Sequence, residues 1–279
     1  MGVLNVTPDS FSDGGKFLDA GAAAAHAAAM VAAGADLVDV GGESTRPGAQ
    51  PVDAAEQRRR VVPVIERIVR ETGAAVSVDT SLVEVADAAV DAGAVLVNDV
   101  TAGRDPRNGA DGALLRWAAR RAADGVPVAV ALMHMQGEPG TMQRDPRYGD
   151  VVAEVLAFLL QRAAAAEAAG VRRADVVIDP GIGFGKTAEH NLALLGALPR
   201  FVGSGYPVLL GTSRKRTLRM ICTRPGRDPS PDELAAATCA TTALAVAAGV
   251  AIVRVHDVRE NRDAADVAWA VRRGQLPGC

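Results

Sequence analysis

The chain has 279 residues, of which 49% are hydrophobic but only 3% aromatic, so a sizeable core can be built from Ala, Val, Leu and Ile rather than from rings. A formal net charge of −3 excludes a protein that wraps nucleic acid or an anionic membrane by charge, and no apolar run reaches the roughly 18 residues of a membrane span. Cys222, Cys239 and Cys279 are odd in number and form no CxxC pair; with no basic, apolar leader, the expectation is a cytoplasmic, soluble protein in a reducing compartment, with no zinc site.

In chain order, residues 1–6 read as a strand that ends in a polar loop at 7–15. An alanine-rich helix is expected over 20–34, a second strand over 36–40, and a loop Gly41-Gly42-Glu43-Ser44-Thr45-Arg46-Pro47-Gly48 behind it. A helix over 52–72 leads to the third strand, 75–78, which ends at Asp79-Thr80-Ser81. A helix over 83–92 precedes the fourth strand, 95–97, ending at Asn98-Asp99. The spacing predicts a helix over 110–123, a fifth strand over 126–133 ending at His134, a long loop 135–150 and a helix over 151–169. The sixth strand is Val176-Val177-Ile178, closed by Asp179. The seventh, 207–210, ends at Gly211-Thr212-Ser213-Arg214-Lys215. A helix over 232–248 leads to the eighth strand, 251–255, ending at His256-Asp257. A last helix closes a single domain over 1–274, and 275–279 reads as a frayed tail.

Three junctions repeat one phrase, around Gly34, Gly93 and Gly249, in which glycine ends a helix and a strand follows at once. Apolar strands alternating with helices through short turns indicate a parallel sheet with right-handed crossovers. Eight such repeats in about 250 residues fit a closed (β/α)8 barrel. An open dinucleotide-binding sheet fits less well, since no GxGxxG follows the first strand.

The polar residues then fall at one end. Asn5, Asp79, Asn98, Asp179, Lys215, Arg254 and His256 sit at or just beyond the C-terminal ends of different strands, and in a barrel those ends share one mouth. Asp79, Asn98 and Asp179 supply acceptors and an amide suited to a flat nitrogen heterocycle with several N–H groups. Arg254 and His256 alternate with Val253 and Val255, so both are expected to point into the mouth. With Asn5 and residues 44–46 they could hold an anion or a magnesium phosphate. After Asp179 the chain runs Pro180-Gly181-Ile182-Gly183-Phe184-Gly185-Lys186-Thr187. This is either a helix-capping turn or a loop of bare amides placed to meet a ligand. A phosphate loop of the GxxxxGK[ST] kind is ruled out by Pro180 where glycine is required. Of the 30 basic residues only Lys16, Lys186 and Lys215 are lysine, leaving 27 arginines. A lysine kept in such a chain suggests that a compact ammonium is needed there.

The stretches MGVLNVTPDSFSDGG, DVGGESTRPGA, VSVDTS, VNDV, DPGIGFGKT, GTSRK and IVRVHD resemble the dihydropteroate synthases, in that family's order and across residues 1–257. The resemblance implies a (β/α)8 barrel that joins p-aminobenzoate to 6-hydroxymethyl-7,8-dihydropterin diphosphate and releases pyrophosphate, with Mg2+ as cofactor. It assigns the pterin to Asp79, Asn98, Asp179, Gly211 and Lys215, with Val100 and Met133 as apolar walls. Asn5, Thr45, Arg46, Arg254 and His256 would meet the diphosphate, and Asn5 the metal. The aminobenzoate would sit by Phe11, Thr45, Arg46, Pro47, Phe184 and Ser213. Asp79, Asp179, Lys215 and Asp13 would carry the chemistry. It further implies inhibition by sulfonamides and a homodimer, to which the nearly all-apolar helix 234–248 adds support. Since the pterin contacts come from rigid strand ends and the aminobenzoate contacts mainly from loops, the pterin diphosphate is expected to bind first.

The chain departs from the family in one respect: members commonly carry several residues before the first strand, which Met1 here begins, so the expectation is either thin cover at the barrel bottom or a true start that lies upstream. Two other functions compete on the same fold. One is a barrel that binds methyltetrahydrofolate without diphosphate chemistry; the other is an inactive paralogue.

Overall fold

The computed structural model describes residues 1–7, 20–44, 51–138 and 140–276. Eight parallel strands alternate with helices. The first half contains β1 (Gly2–Asn5), α1 (Ala20–Ala32), β2 (Leu37–Gly41), α2 (Ala54–Thr72), β3 (Ala75–Asp79), α3 (Val83–Asp91), β4 (Leu96–Asp99) and α4 (Ala113–Ala123). The second half contains β5 (Ala129–Met133), α5 (Val151–Ala169), β6 (Val176–Asp179), α6 (Ala188–Gly196), α7 (Leu198–Val202), β7 (Leu209–Leu210), α8 (Arg216–Cys222), α9 (Ala235–Ala248), β8 (Ile252–Val253) and α10 (Val258–Arg273).

Strands β1 to β6 form one sheet in sequence order, and β7 pairs with β8. Parallel bridges Ile178↔Val208 and Gly2↔Val255 join the two pieces on both sides, so the barrel closes. Met1 takes part in that closure, because its amino group donates to Val253 O at 3.0 Å.

The strands have two faces and two separate cores. Met1, Leu96, Ala131, Val177 and Leu209 meet inside the barrel. Leu4, Val38, Val40, Val76, Val78 and Ile178 instead pack outward against the helices. Period-two alternation assigns the inner face to Asp39, Ser77, Asp79, Asn98 and Asp179. The register places Asp39 beside Ser77, Asp79 beside Asn98 and Met133 beside Asp179.

The repeated glycine junctions turn as the sequence suggests: Gly34, Gly93 and Gly249 have φ of 100°, 108° and 96°, values that cost an L side chain but not glycine. Some boundaries differ from expectation. The helix expected from residue 110 begins at Ala113, because a 3-10 turn at Pro106–Asn108 and a left-handed Gly112 occupy the approach. The stretch 232–248 is split into a 3-10 turn, Pro231–Leu234, boxed by Ser230 and Glu233, and the helix α9. The last two strands are short, with Val255 contributing only a bridge.

Candidate active site

At the C-terminal mouth the inward residues form a charged ring. Arg254 follows β8 with its guanidinium between two carboxylates. Nε donates to Asp39 Oδ2 at 2.6 Å and Nη2 to Asp79 Oδ2 at 3.0 Å. Asn98 Nδ2 donates to the same Asp39 oxygen at 3.1 Å, which leaves the amide oxygen of Asn98 for other donors. Asp39 is wholly buried. Among the described residues, its Oδ1 and the hydroxyl of its register neighbour Ser77 have no hydrogen-bond partner.

Burial pushes the Asp79 carboxyl up to about 7, with the Asp39 carboxylate adding and Arg254 opposing. It also raises Asp179, against the cationic Lys215, the bond from the Gly181 amide and the charge of Lys186. Lys215 is lowered to about 8 by burial, with Asp179 holding it up and Arg254 pressing it down. Two carboxyls, one ammonium and one guanidinium therefore face one partly dry space: burial draws Asp79, Asp179 and Lys215 toward neutrality, while Asp39 and Asp79 hold Arg254 charged against its own burial. Such shifts gather where chemistry is done.

Lys215 enters that space because of a strained turn. Arg214 adopts φ of 60°, uncommon for a residue with a side chain. It is held there by ion pairs to Asp232 at 2.6 Å and Asp257 at 2.7 Å. The turn presents Lys215, whose ammonium donates to Ile182 O and lies 4.7 Å from the Phe184 ring centroid. A Cβ on Gly211 beneath it would stand 3.8 Å from Arg254 Cβ and 3.9 Å from Lys215 Nζ, in ordinary contact with both. Ser213 Oγ accepts from His256 N at 3.1 Å and lies 3.0 Å from His256 Nδ1.

The structure thus brings Asp79, Asn98, Asp179, Gly211, Ser213, Lys215, Arg254, His256 and Phe184 to one end. Met133 is buried beside Asp179 in register, and Val100 is half-buried in the turn after β4. Asn5 ends β1, and its Oδ1 would lie 3.7 Å from a Cβ on Gly41, with Asp79 Oδ2 at 3.8 Å from the same point. Phe11, Asp13, Thr45, Arg46 and Pro47 lie outside the described residues.

One expectation is corrected. The glycine-loop amides are not bare: Gly181 N donates to Asp179 Oδ1 at 2.7 Å and Gly183 N to Asn191 Oδ1 at 2.8 Å. The loop shapes the site without offering those two amides to an anion. Asp99 illustrates the alternation at the strand ends. Next to inward Asn98, it turns outward and accepts from Thr101 N at 2.7 Å and Gly103 N at 2.5 Å, as an ordinary turn residue. Asp39 was missed in the sequence, although an acid between Val38 and Val40 in mid-strand is a signal that the strand's other face is not apolar. A cavity of about 470 Å³ lies at the other end of the barrel, around Met1, Leu37, Ile252 and Trp269. It holds none of the mouth residues.

A closed (β/α)8 barrel with buried acids, Lys215 and Arg254 at its C-terminal mouth defines an enzyme of the pterin-binding barrel class. The family model described as "Pterin binding enzyme" matches residues 1–256. The dihydropteroate synthase of Mycobacterium leprae is 48% identical over 97% of this chain and 92% of that protein. The Yersinia pestis dihydropteroate synthase, solved with a sulfonamide drug, superposes with a TM-score of 0.87 at 39% identity, covering 98% of this chain and 93% of that one. The Xanthomonas albilineans dihydropteroate synthase, solved with 4-aminobenzoic acid, gives 0.85 at 48% identity, covering 97% and 92%. The chain belongs to this pterin-binding family and, within it, to the dihydropteroate synthases.

Proposed function

We infer that the protein is a transferase of folate biosynthesis. It condenses 6-hydroxymethyl-7,8-dihydropterin diphosphate with p-aminobenzoate to give 7,8-dihydropteroate and pyrophosphate. The observation that carries the chemistry is the pairing of two buried inward carboxyls, Asp79 and Asp179, with Arg254 and Lys215 at one mouth.

In this reading the pterin lies flat across the strand ends. Its amino-imine edge donates to a carboxylate in two parallel bonds, strong in a partly dry site, and Asn98 and Lys215 complete the polar ring. Met133 and Val100 cover its faces. Arg254 and His256 meet the diphosphate and stabilise the charge that develops as the C–O bond breaks. The methylene carbon left behind is cationic and conjugated with the pterin, so Asp79 and Asp179 stabilise it electrostatically. The aromatic amine attacks that carbon directly, a C–N bond forms, and the amine proton leaves to pyrophosphate or water. No side-chain nucleophile is required; positioning does the rest.

Mg2+ belongs to the same reading. The described residues contain no cluster of three His, Cys, Asp or Glu able to hold a metal, so they build no closed cage. Asn5 Oδ1 beside Asp79 is a hard oxygen donor of the kind Mg2+ takes alongside waters and substrate phosphate oxygens, which fits. When bound, the ion would neutralise charge on the leaving diphosphate. By the resemblance, Phe11, Thr45, Arg46 and Pro47 would border the aminobenzoate and Asp13 would take part in the chemistry.

The reading also places the protein in the cytoplasm and as a homodimer. Cys222 and Cys239 are free thiols, and no helix of the described residues is long and apolar enough to cross a membrane. Leu244 on α9 and Val267 and Val271 on α10 are exposed apolar side chains on packed neighbouring helices, a surface suited to a second copy. Calorimetric titration tests the function against its competitor. Tight binding of the pterin diphosphate is expected; preference for methyltetrahydrofolate would favour the non-condensing barrel.

A further inference from the structure

Lys186 belongs to the glycine-rich loop and is only 3% exposed. Its ammonium meets four acceptors: Gly181 O at 2.9 Å, Phe184 O at 3.0 Å, His134 O at 3.2 Å and His134 Nδ1 at 3.0 Å. An ammonium has three protons, so at least one is shared. Burial, reinforced by Lys186 and Arg104, pushes His134 down to about 3. Its ring is therefore neutral, with Nδ1 free to accept.

The reason for this crowd of acceptors is backbone contact. A Cβ on Gly181 would fall 2.0 Å from His134 O, and one on Gly185 would fall 2.2 Å from Gln136 O. Both glycines have positive φ, 65° and 61°. Two loops are pressed together with no side chain between them, and the carbonyls so enclosed must find a donor. Lys186 supplies it for both loops at once. Lys215 reaches the same loop from the pocket, through Ile182 O.

Asp179 does not depend on that ammonium for its place. Its carbonyl accepts from His134 N at 3.0 Å, and it stands in register with Met133 in the ladder. Phe184 lies beyond the ladder. Its amide donates to Gly181 O at 3.1 Å, an oxygen that Lys186 also holds.

We propose that Lys186 is a positioning residue for the second substrate: it fixes the 181–184 segment against the end of β5 and so sets the wall that p-aminobenzoate meets. The proposal rests on the reading that this segment, through Phe184, borders the aminobenzoate. A planar guanidinium cannot place its donors at one point among four converging acceptors, so arginine should not substitute.

The test is steady-state kinetics of the whole enzyme with both substrates, comparing Lys186→Met, Lys186→Arg and Phe184→Ala with wild type. Loss of these bonds should raise the aminobenzoate KM about tenfold or more in both Lys186 variants. The pterin diphosphate KM should stay within about threefold. If Lys186→Met gives no folded protein, Lys186→Gln, which keeps an amide donor for part of the set, is measured in the same way and should show the same split. A rise with Lys186→Met but not with Phe184→Ala overturns the proposal at its premise, that Phe184 borders the aminobenzoate, whereas a rise with both supports it. Unchanged KM for both substrates, with kcat reduced only by the folded fraction, overturns the proposal and leaves Lys186 a purely structural residue.

Discussion

Asp39 and Arg254, 215 positions apart in the chain, are joined inside the barrel by a 2.6 Å bond from guanidinium Nε to carboxylate Oδ2. Asp39 has no exposed surface, so it cannot touch a substrate at the mouth directly. Its work is to set the angle at which Arg254 presents its remaining N–H groups, and to turn the Asn98 amide at the same time. An uncompensated buried charge is costly, and the guanidinium compensates this one.

Asp39→Asn should therefore weaken the diphosphate side. The amide can still accept from Arg254, but the buried guanidinium loses one of its two counter-charges. A fall in kcat/KM for the pterin diphosphate of order tenfold is expected, equivalent to about 1.4 kcal/mol. Aminobenzoate saturation should be nearly unchanged. Steady-state kinetics, with a melting curve to confirm folding, checks this; an equal loss for both substrates would speak against it.

Much of this arrangement is legible in the sequence, and the gaps have physical causes. Arg254 between Val253 and Val255 reads correctly as inward, because alternation fixes the face of a strand. The same rule applied to Val38-Asp39-Val40 would have found Asp39, but attention to strand ends hides a charge in mid-strand. Lys186 follows the opposite course. Pro180 rules out the phosphate loop that its spacing tempts, and two of its four acceptors come from His134, 52 positions away, which no local pattern reveals. Regular strand is shorter than expected at β7 and β8, although single ladder bonds continue at Pro207 O, Arg254 N and Val255 N.

Lys215→Arg tests the need for a compact ammonium at the mouth. Lys215 bonds Ile182 O and approaches the Phe184 ring, a gap between Asp179 and the aminobenzoate wall that a wider, planar guanidinium should not fill. The variant should keep its melting temperature and lose at least about 10²-fold in rate, about 2.7 kcal/mol on the barrier. Arg216→Lys, on an exposed first residue of α8, should change little. Near-normal turnover in Lys215→Arg would show that only charge is needed there.

The pH profile follows from two of the shifted groups. Asp79, raised to about 7, is a neutral and weaker acceptor below that pH. Lys215, lowered to about 8, is neutral and a weaker donor above it. The kcat/KM for the pterin diphosphate should be bell-shaped, with limbs near those two values. Asp79→Asn should remove the acid limb along with most activity. A flat profile between pH 6 and 9, roughly one unit beyond each limb, would mean that neither group titrates in the free enzyme.

Sulfonamides carry an aromatic amine like that of p-aminobenzoate and should compete with it. The expected pattern is a raised aminobenzoate KM at constant kcat, with no competition against the pterin diphosphate. Inhibition indifferent to aminobenzoate concentration would show that the second pocket is misplaced.

The most direct measurement is a single assay on the purified protein with the pterin diphosphate, p-aminobenzoate and Mg2+, following pyrophosphate and dihydropteroate together. The account predicts equal amounts of the two products, formed only when both substrates are present. A protein that binds the pterin diphosphate yet releases no pyrophosphate when aminobenzoate is added would contradict it.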